Sequence, residues 1–129
     1  MKAKPILIVA GEPNSIFLEI FFKAIKLRNY KSPLILICSL KLLKMQMIKL
    51  GFKKKINLLD FKNIPLSKID NKSINLIDIK YDASLAFEKI SNKSNSYIKN
   101  SFDMAFKIIK SKITNKLING PISKKNFLN

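Results

Sequence analysis

Two short turns hold the residue types most able to do chemistry in this chain. They are Gly11-Glu12-Pro13-Asn14-Ser15 and Asn119-Gly120-Pro121-Ile122-Ser123-Lys124. Each follows an apolar run and precedes a stretch that can start a helix. Each can therefore offer backbone N–H groups, at the positive end of a helix dipole, to an anion. Lys124 adds a cation suited to a phosphate; the plain alternative is a solvated lysine. Glu12 either orients its turn or faces the pocket. Asn119 either donates to a ligand or caps the strand end. Neither turn is a G-x-G-x-x-G or Walker A loop, which argues against a standard Rossmann site. Gly-Pro is a common turn dipeptide, so on composition alone both motifs need only shape the chain.

Other chemistry is excluded by what the chain lacks. It has no histidine, one cysteine and eight carboxylates spread along its length. Ser-His and Cys-His catalysis and imidazole metal ligands are absent. No metal-ligand spacing occurs, and no catalytic acid or base is assigned. Cys38 ends an apolar run and reads as a buried, inert thiol, with no partner for a disulfide. The formal charge is +17, yet Arg28 is the single arginine. Nucleic-acid readers lean on arginine forks. The lysines are dispersed and accompany an excess of Ile, Asn and Ser, so they read as a solvated surface. The run Lys53-Lys54-Lys55 reads as a loop.

Stepping outward from the turns, residues 5–10 and 33–38 form continuous apolar runs of strand length, the pattern of strands covered on both faces. A helix follows the first, capped by Asn14 or Ser15, with Ile16, Ile20, Phe21, Ala24 and Leu27 at helical spacing to about Arg28. Ser39 can cap a second helix to about Leu50, with Leu42, Leu43, Met47 and Leu50 inward and Gly51 ending it. Short strands are predicted over 55–60 and 73–79, joined by an irregular stretch with Pro65. A long amphipathic helix follows Ser91-Asn92-Lys93-Ser94 to about Lys112, carrying Ile98, Phe102, Ala105, Ile109 and Ile113. A strand over 116–119 and a helix starting at Lys124 complete the pattern. Met45, Met47, Phe21 and Phe22 read as core. Alternating strands and helices predict an α/β fold with a mainly parallel sheet flanked by helices. The 129 residues suffice for one ordinary domain. No apolar run approaches the ~20 residues of a membrane span, and no secretory signal is evident. A cytoplasmic protein is expected.

The opening Lys4-Pro5-Ile6-Leu7-Ile8-Val9-Ala10-Gly11-Glu12-Pro13, with Ile16 and Glu19 after it, resembles the start of the 4-hydroxythreonine-4-phosphate dehydrogenase family. That family opens with a strand and Gly-Glu-Pro-Ala-Gly-Ile-Gly-Pro-Glu. The close, Leu117-Ile118-Asn119-Gly120-Pro121-Ile122-Ser123-Lys124, resembles the family's strand ending in Thr-(Ala/Gly)-Pro-Ile-Asn-Lys. The resemblance runs through the whole chain and matches about the first two-fifths of a family member. It implies the N-terminal part, residues 1–129, of a two-domain fold like isocitrate and isopropylmalate dehydrogenases, incomplete here. It implies a homodimer at full length that oxidises 4-phosphooxy-threonine with NAD or NADP and a divalent metal, in pyridoxal phosphate (vitamin B6) biosynthesis. Lys124, Asn119 and Glu12 would then line the substrate's phosphate pocket, while residues for the cofactor stay unassigned. The family's metal-binding histidines have no counterpart in this sequence, so the chain is expected to be inactive alone. Asn14-Ser15 and Phe17-Leu18 replace Ala-Gly and Gly-Pro of the family's first motif. They leave open a dehydrogenase of another four-carbon phosphorylated hydroxy acid. A small basic nucleic-acid-binding module, or a structural α/β module, is the reading without the resemblance.

Overall fold

The computed structural model describes residues 4–66 and 68–123. The helix expected from Lys124 onward lies outside them. The elements run β1 (Ile6–Val9), α1 (Phe17–Leu27), β2 (Leu34–Cys38), α2 (Leu40–Leu50), β3 (Ile56–Leu58), a 3-10 helix (Phe61–Leu66), β4 (Ile74–Asp78), a short 3-10 turn (Asn92–Ser94), α3 (Asn95–Lys110) and β5 (Lys116–Asn119). All four strand pairings are parallel, in the order β3-β4-β2-β1-β5. The α/β architecture with a parallel sheet is thus as the alternating pattern predicts.

Topology follows from the handedness of parallel crossovers. The chain moves from β1 to β2 and on past β4 to β3, which places α1 and α2 together on one face, and they touch. It then returns across the sheet, so α3 covers β1 and β2 from the other face. The central strands are therefore sealed on both sides. Leu7, Val9, Ile35, Leu36, Ile37, Cys38 and Leu76 are completely buried. Such strands must read as unbroken apolar runs, as β1 and β2 do. Cys38 is sealed with them, and burial pushes its thiol pKa well above the ordinary value. The inert reading of that residue fits.

The helix ends obey their local chemistry. The Ser39 hydroxyl accepts from the Leu42 amide at 3.1 Å, and Gly51 closes α2 at φ 66°. The Ser15 hydroxyl accepts from the Phe17 amide at 3.2 Å at the start of α1.

The faces are partly reassigned. In α1 the core takes Leu18, Phe21 and Phe22, whereas Ile16, Ile20 and Leu27 are 64%, 53% and 80% exposed. This helix is apolar around most of its circumference, so helical spacing fits two stripes. The stripe with two phenylalanines buries more area and turns inward. In α2, Leu50 is exposed and Gln46 is fully buried. In α3, Ile98 and Ala105 are buried as expected and Ile108 joins them, while Phe102 and Ile109, and Ile113 beyond the helix end, are half-buried. Lys112, expected inside that helix, instead closes it at φ 65°.

β5 pairs only with β1 among the described residues, and Ile118 on it is half exposed. The other edge strand, β3, exposes Leu58 in the same way.

Urea unfolding will distinguish the two stripes of α1. Phe22→Ala should cost about 3–5 kcal/mol, whereas Ile20→Lys should change stability by less than about 0.5 kcal/mol. Equal losses would reverse the assignment of faces.

Candidate functional site

The two sequence motifs meet in space. β1 and β5 are neighbours in register, Val9 opposite Asn119, so both turns leave the carboxyl end of the sheet side by side. Ligands of open α/β sheets sit at that end. The turns do not merely approach; their backbones interlock. The Glu12 amide donates to the Pro121 carbonyl at 2.8 Å, and the Gly120 amide to the Val9 carbonyl at 2.7 Å. A β-carbon on Gly11, which sits at φ 77°, would lie 2.6 Å from the Pro121 oxygen. One on Gly120 would lie 2.2 Å from the Ala10 oxygen and 2.8 Å from Phe17 Cγ. Real β-carbons are not found at such distances. Both glycines are thus required for close packing of one turn on the other.

Glu12 is almost fully buried. Its Oε1 accepts from the Asn14 amide at 3.3 Å, and its Oε2 accepts from the Ser94 hydroxyl at 3.1 Å. The carboxylate therefore ties the first turn to the start of α3. Asn119 is exposed, and its side-chain amide donates to the Gly120 carbonyl at 2.9 Å. Lys124 lies outside the described residues.

A third segment, between β4 and α3, completes the corner. Asn14 Oδ1 accepts from the Glu88 amide at 2.9 Å. The Gln46 side chain donates to the carbonyls of Pro13 at 3.0 Å and Ala86 at 2.9 Å. Tyr97, beneath, accepts from the Ser39 amide at 3.1 Å, and burial drives its phenol pKa well up. Glu88 Oε1 accepts from the Ser84 hydroxyl and amide, and Oε2 pairs with Lys93 at 3.3 Å. The Ser84 bonds, then Lys93, hold the Glu88 carboxyl down at about 2.

Beside the turns, at the carboxyl ends of β2 and β4, opens a cleft of ≈ 640 Å³. Lys41, Lys44 and Lys80 stand around it with Asp78, Tyr81 and Asp82. Asp78 Oδ1 accepts from the Leu40 amide at 2.8 Å, and Lys41 pairs with Asp82 at 3.1 Å. Three lysines against two carboxylates leave the cleft wall only slightly positive.

The described residues show no metal-capable cluster, and the start of α1 is closed to a dinucleotide phosphate. No cluster of three or more His, Cys, Asp or Glu side chains able to hold a metal occurs among them. The amides of Asn14, Ser15 and Phe17, which a dinucleotide phosphate would need at the start of α1, are bonded to Glu12 Oε1, the Glu12 carbonyl and Ser15 Oγ. The first turn is thus filled from within, contrary to the open anion-binding corner that its sequence suggests.

Solved structures place this geometry. No family model and no curated protein matches the chain. A protein assigned as a 4-hydroxythreonine-4-phosphate dehydrogenase from Salmonella typhimurium is similar, with a TM-score of 0.80 and 19% identity, over 95% of this chain and 39% of its own. The 4-hydroxythreonine-4-phosphate dehydrogenases of Klebsiella pneumoniae (0.78, 15%, covering 95% and 38%) and Burkholderia phymatum (0.74, 18%, covering 95% and 37%) are also similar. The chain has part of the dehydrogenase fold. It spans about two-fifths of the length of these neighbours. At these identities the likeness establishes the fold, and the residues above carry what is specific to this chain.

The sequence reading finds both turns but misses Asn14, Gln46, Glu88 and Ser94 as the groups that hold them. Gln46 was open to detection, because it is a polar residue between Leu42, Leu43 and Met47 on an apolar helix face.

Two measurements check this corner. Gly120→Ala should destabilise the chain by about 3 kcal/mol, since the backbone oxygen it meets cannot swing away. Gly51→Ala, whose β-carbon meets nothing within 4 Å, carries only its left-handed strain of about 1–2 kcal/mol. A larger loss at Gly51 would contradict the interlock. Glu88 tests the electrostatics. Its folded pKa lies below the ordinary 4.5, so its contribution is complete above about 4.5 and fades as pH falls toward about 2. A carboxyl-detected NMR titration should show that low midpoint, and Ser84→Ala should raise it.

Proposed function

We propose that this chain forms the phosphate-side wall of the substrate pocket of an NAD(P)-dependent, metal-assisted dehydrogenase. The substrate is 4-hydroxythreonine 4-phosphate, in pyridoxal phosphate biosynthesis. The interlocked Gly11 and Gly120 turns carry the reading. They bring two separate family-like motifs into one corner at the ligand end of the sheet. The positive cleft beside them suits a phosphorylated substrate.

On this reading Lys124 is the phosphate cation, Asn119 borders the entrance, and Glu12 fixes the wall from behind through Ser94 and Asn14. No metal-capable cluster of His, Cys, Asp or Glu occurs among the described residues, so on this reading the metal is held by groups outside them. Residues 1–129 are an N-terminal segment of a two-domain enzyme that acts as a cytoplasmic homodimer and are inactive on their own. One observation favours a close variant of the substrate. The Phe17 ring lies against Gly120, where the family motif carries a glycine. That bulk suits a related four-carbon phosphorylated hydroxy acid. A nucleic-acid role finds no support in the lysines, which stand exposed on all three α-helices and in several loops.

The test is an NMR titration of the 129-residue chain with 4-hydroxythreonine 4-phosphate. Saturating shifts should appear at the amides of Gly11, Gly120 and Ile122. Lys124→Ala should weaken binding about tenfold, as loss of a charge-assisted contact does. No NADH or NADPH should form. Silence at both turns would reject the pocket, and turnover by these residues alone would reject the division of labour.

A further inference from the structure

A second cavity lies at the opposite end of the sheet, where the strands begin. It has a volume of ≈ 440 Å³, within the range of small-molecule pockets. Its floor is apolar, made by Phe21 and Ile25 on the underside of α1 and by Leu34 and Ile74 at the starts of β2 and β4. Arg28, Lys54 and Lys72 stand around it with Asp70. The charge is thus three positive against one negative.

Two features separate this lining from ordinary surface lysines. Lys54 is half-buried, and every other lysine among the described residues is exposed. The ion pairs among the described residues join Lys23 to Glu19, Lys41 to Asp82, Lys93 to Glu88 and Lys99 to Asp103, and none engages Arg28, Lys54 or Lys72. The stem of a lysine can lie along such an apolar wall with its ammonium at the mouth. An incoming anion would supply the partner that the ion pairs leave out. Arg28 is the chain's single arginine, and its planar fork suits carboxylate and phosphate.

The walls are also preformed. Asn71 accepts from the Leu34 amide at 2.9 Å and donates to the carbonyls of Tyr30 at 3.1 Å and Ser32 at 2.8 Å. Asn75, buried in β4, donates to the carbonyls of Leu34 at 3.0 Å and Asp70 at 2.7 Å and accepts from Asn57 at 3.0 Å. These bonds lock the loop before β2 to the loop before β4. Little ordering is left to be done when a ligand enters.

We infer that this cavity binds a small organic anion, with its apolar body on Phe21 and Ile25 and its carboxylate or phosphate toward Arg28 and Lys54. It is separate from the two glycine turns and stands whether or not the reading of those turns holds.

The experiment uses the 129-residue chain and three probes: phenyl phosphate, benzoate and inorganic phosphate, each followed by amide NMR. Phenyl phosphate or benzoate should give saturating shifts confined to the residues around Phe21, Asn29, Lys54 and Ser73. Whichever binds tighter identifies the anionic group. Inorganic phosphate should bind at least about tenfold more weakly, because it leaves the apolar floor unused. Arg28→Ala and Lys54→Ala should each weaken the organic anion about tenfold, with unchanged circular dichroism. Lys99→Ala, on the outer side of α3, should have no effect. Shifts that never saturate, that spread over all the lysines, or that survive both substitutions would overturn the inference. Equal affinity for inorganic phosphate would overturn the role of the apolar floor.

Discussion

The backbone of one glycine turn rests directly on the backbone of another, and the sheet is arranged around that contact. Gly11 and Gly120 are more than a hundred residues apart, yet neither can carry a side chain, because each occupies the other turn's space. The contact needs β5 immediately beside β1, in register at Val9 and Asn119. That placement in turn requires the chain to leave β4 and return across β2 and β1 before it can form β5. Helix α3 is the element that makes the return, and its start is fastened by Ser94 to Glu12. One steric constraint thus sets strand order, crossover direction and the purpose of a buried carboxylate.

Polar side chains inside the protein are spent on loops at both ends of the sheet. At the carboxyl end Gln46 reaches from α2 to Pro13 and Ala86. At the amino end Asn75 and Asn71 join the segments before β2 and β4. Leucine in either buried place would gain apolar burial and would leave the carbonyls now satisfied without donors, a loss of about 1–3 kcal/mol for each buried group. Gln46 is not fully compensated even so: its Oε1 is buried without a partner. An amide kept at that cost serves the position of the loop, not the depth of the core.

The strands, the helix caps and the two turns were legible because each depends on neighbours in sequence. Ser39 and Gly51 bound α2 by local hydrogen bonding and backbone preference, and the apolar runs of β1 and β2 follow from burial on both faces. The facing of α1 was not legible. Ile16 and Ile20 satisfy helical spacing as well as Leu18 and Phe22 do, and only the sheet decides between them. The inner saturation of the first turn was hidden for the same reason. Asn14 and Ser15 signal a cap, but that Glu12 turns back onto the Asn14 amide and across to Ser94 depends on a helix that begins some eighty residues later.

The outer stripe of α1 has its own physical meaning. A helix apolar around its circumference is stable in water only at a cost, and such helices are normally enclosed. Uncovered apolar side chains stand both on this helix and on the edge strand β5. Gly120 faces Phe17, so Ile118, two residues earlier on β5, points to the same side of the sheet as α1. Ile16, Ile20 and Ile118 are each more than half exposed, and the far edge has uncovered apolar side chains of its own, Ile48 and Leu50 on α2 and Leu58 on β3. The similar folds are more than twice as long as this chain. Apolar side chains thus stand uncovered at both edges of the sheet, and those on β5 share their edge with the interlocked turns, where Val9 and Asn119 are in register.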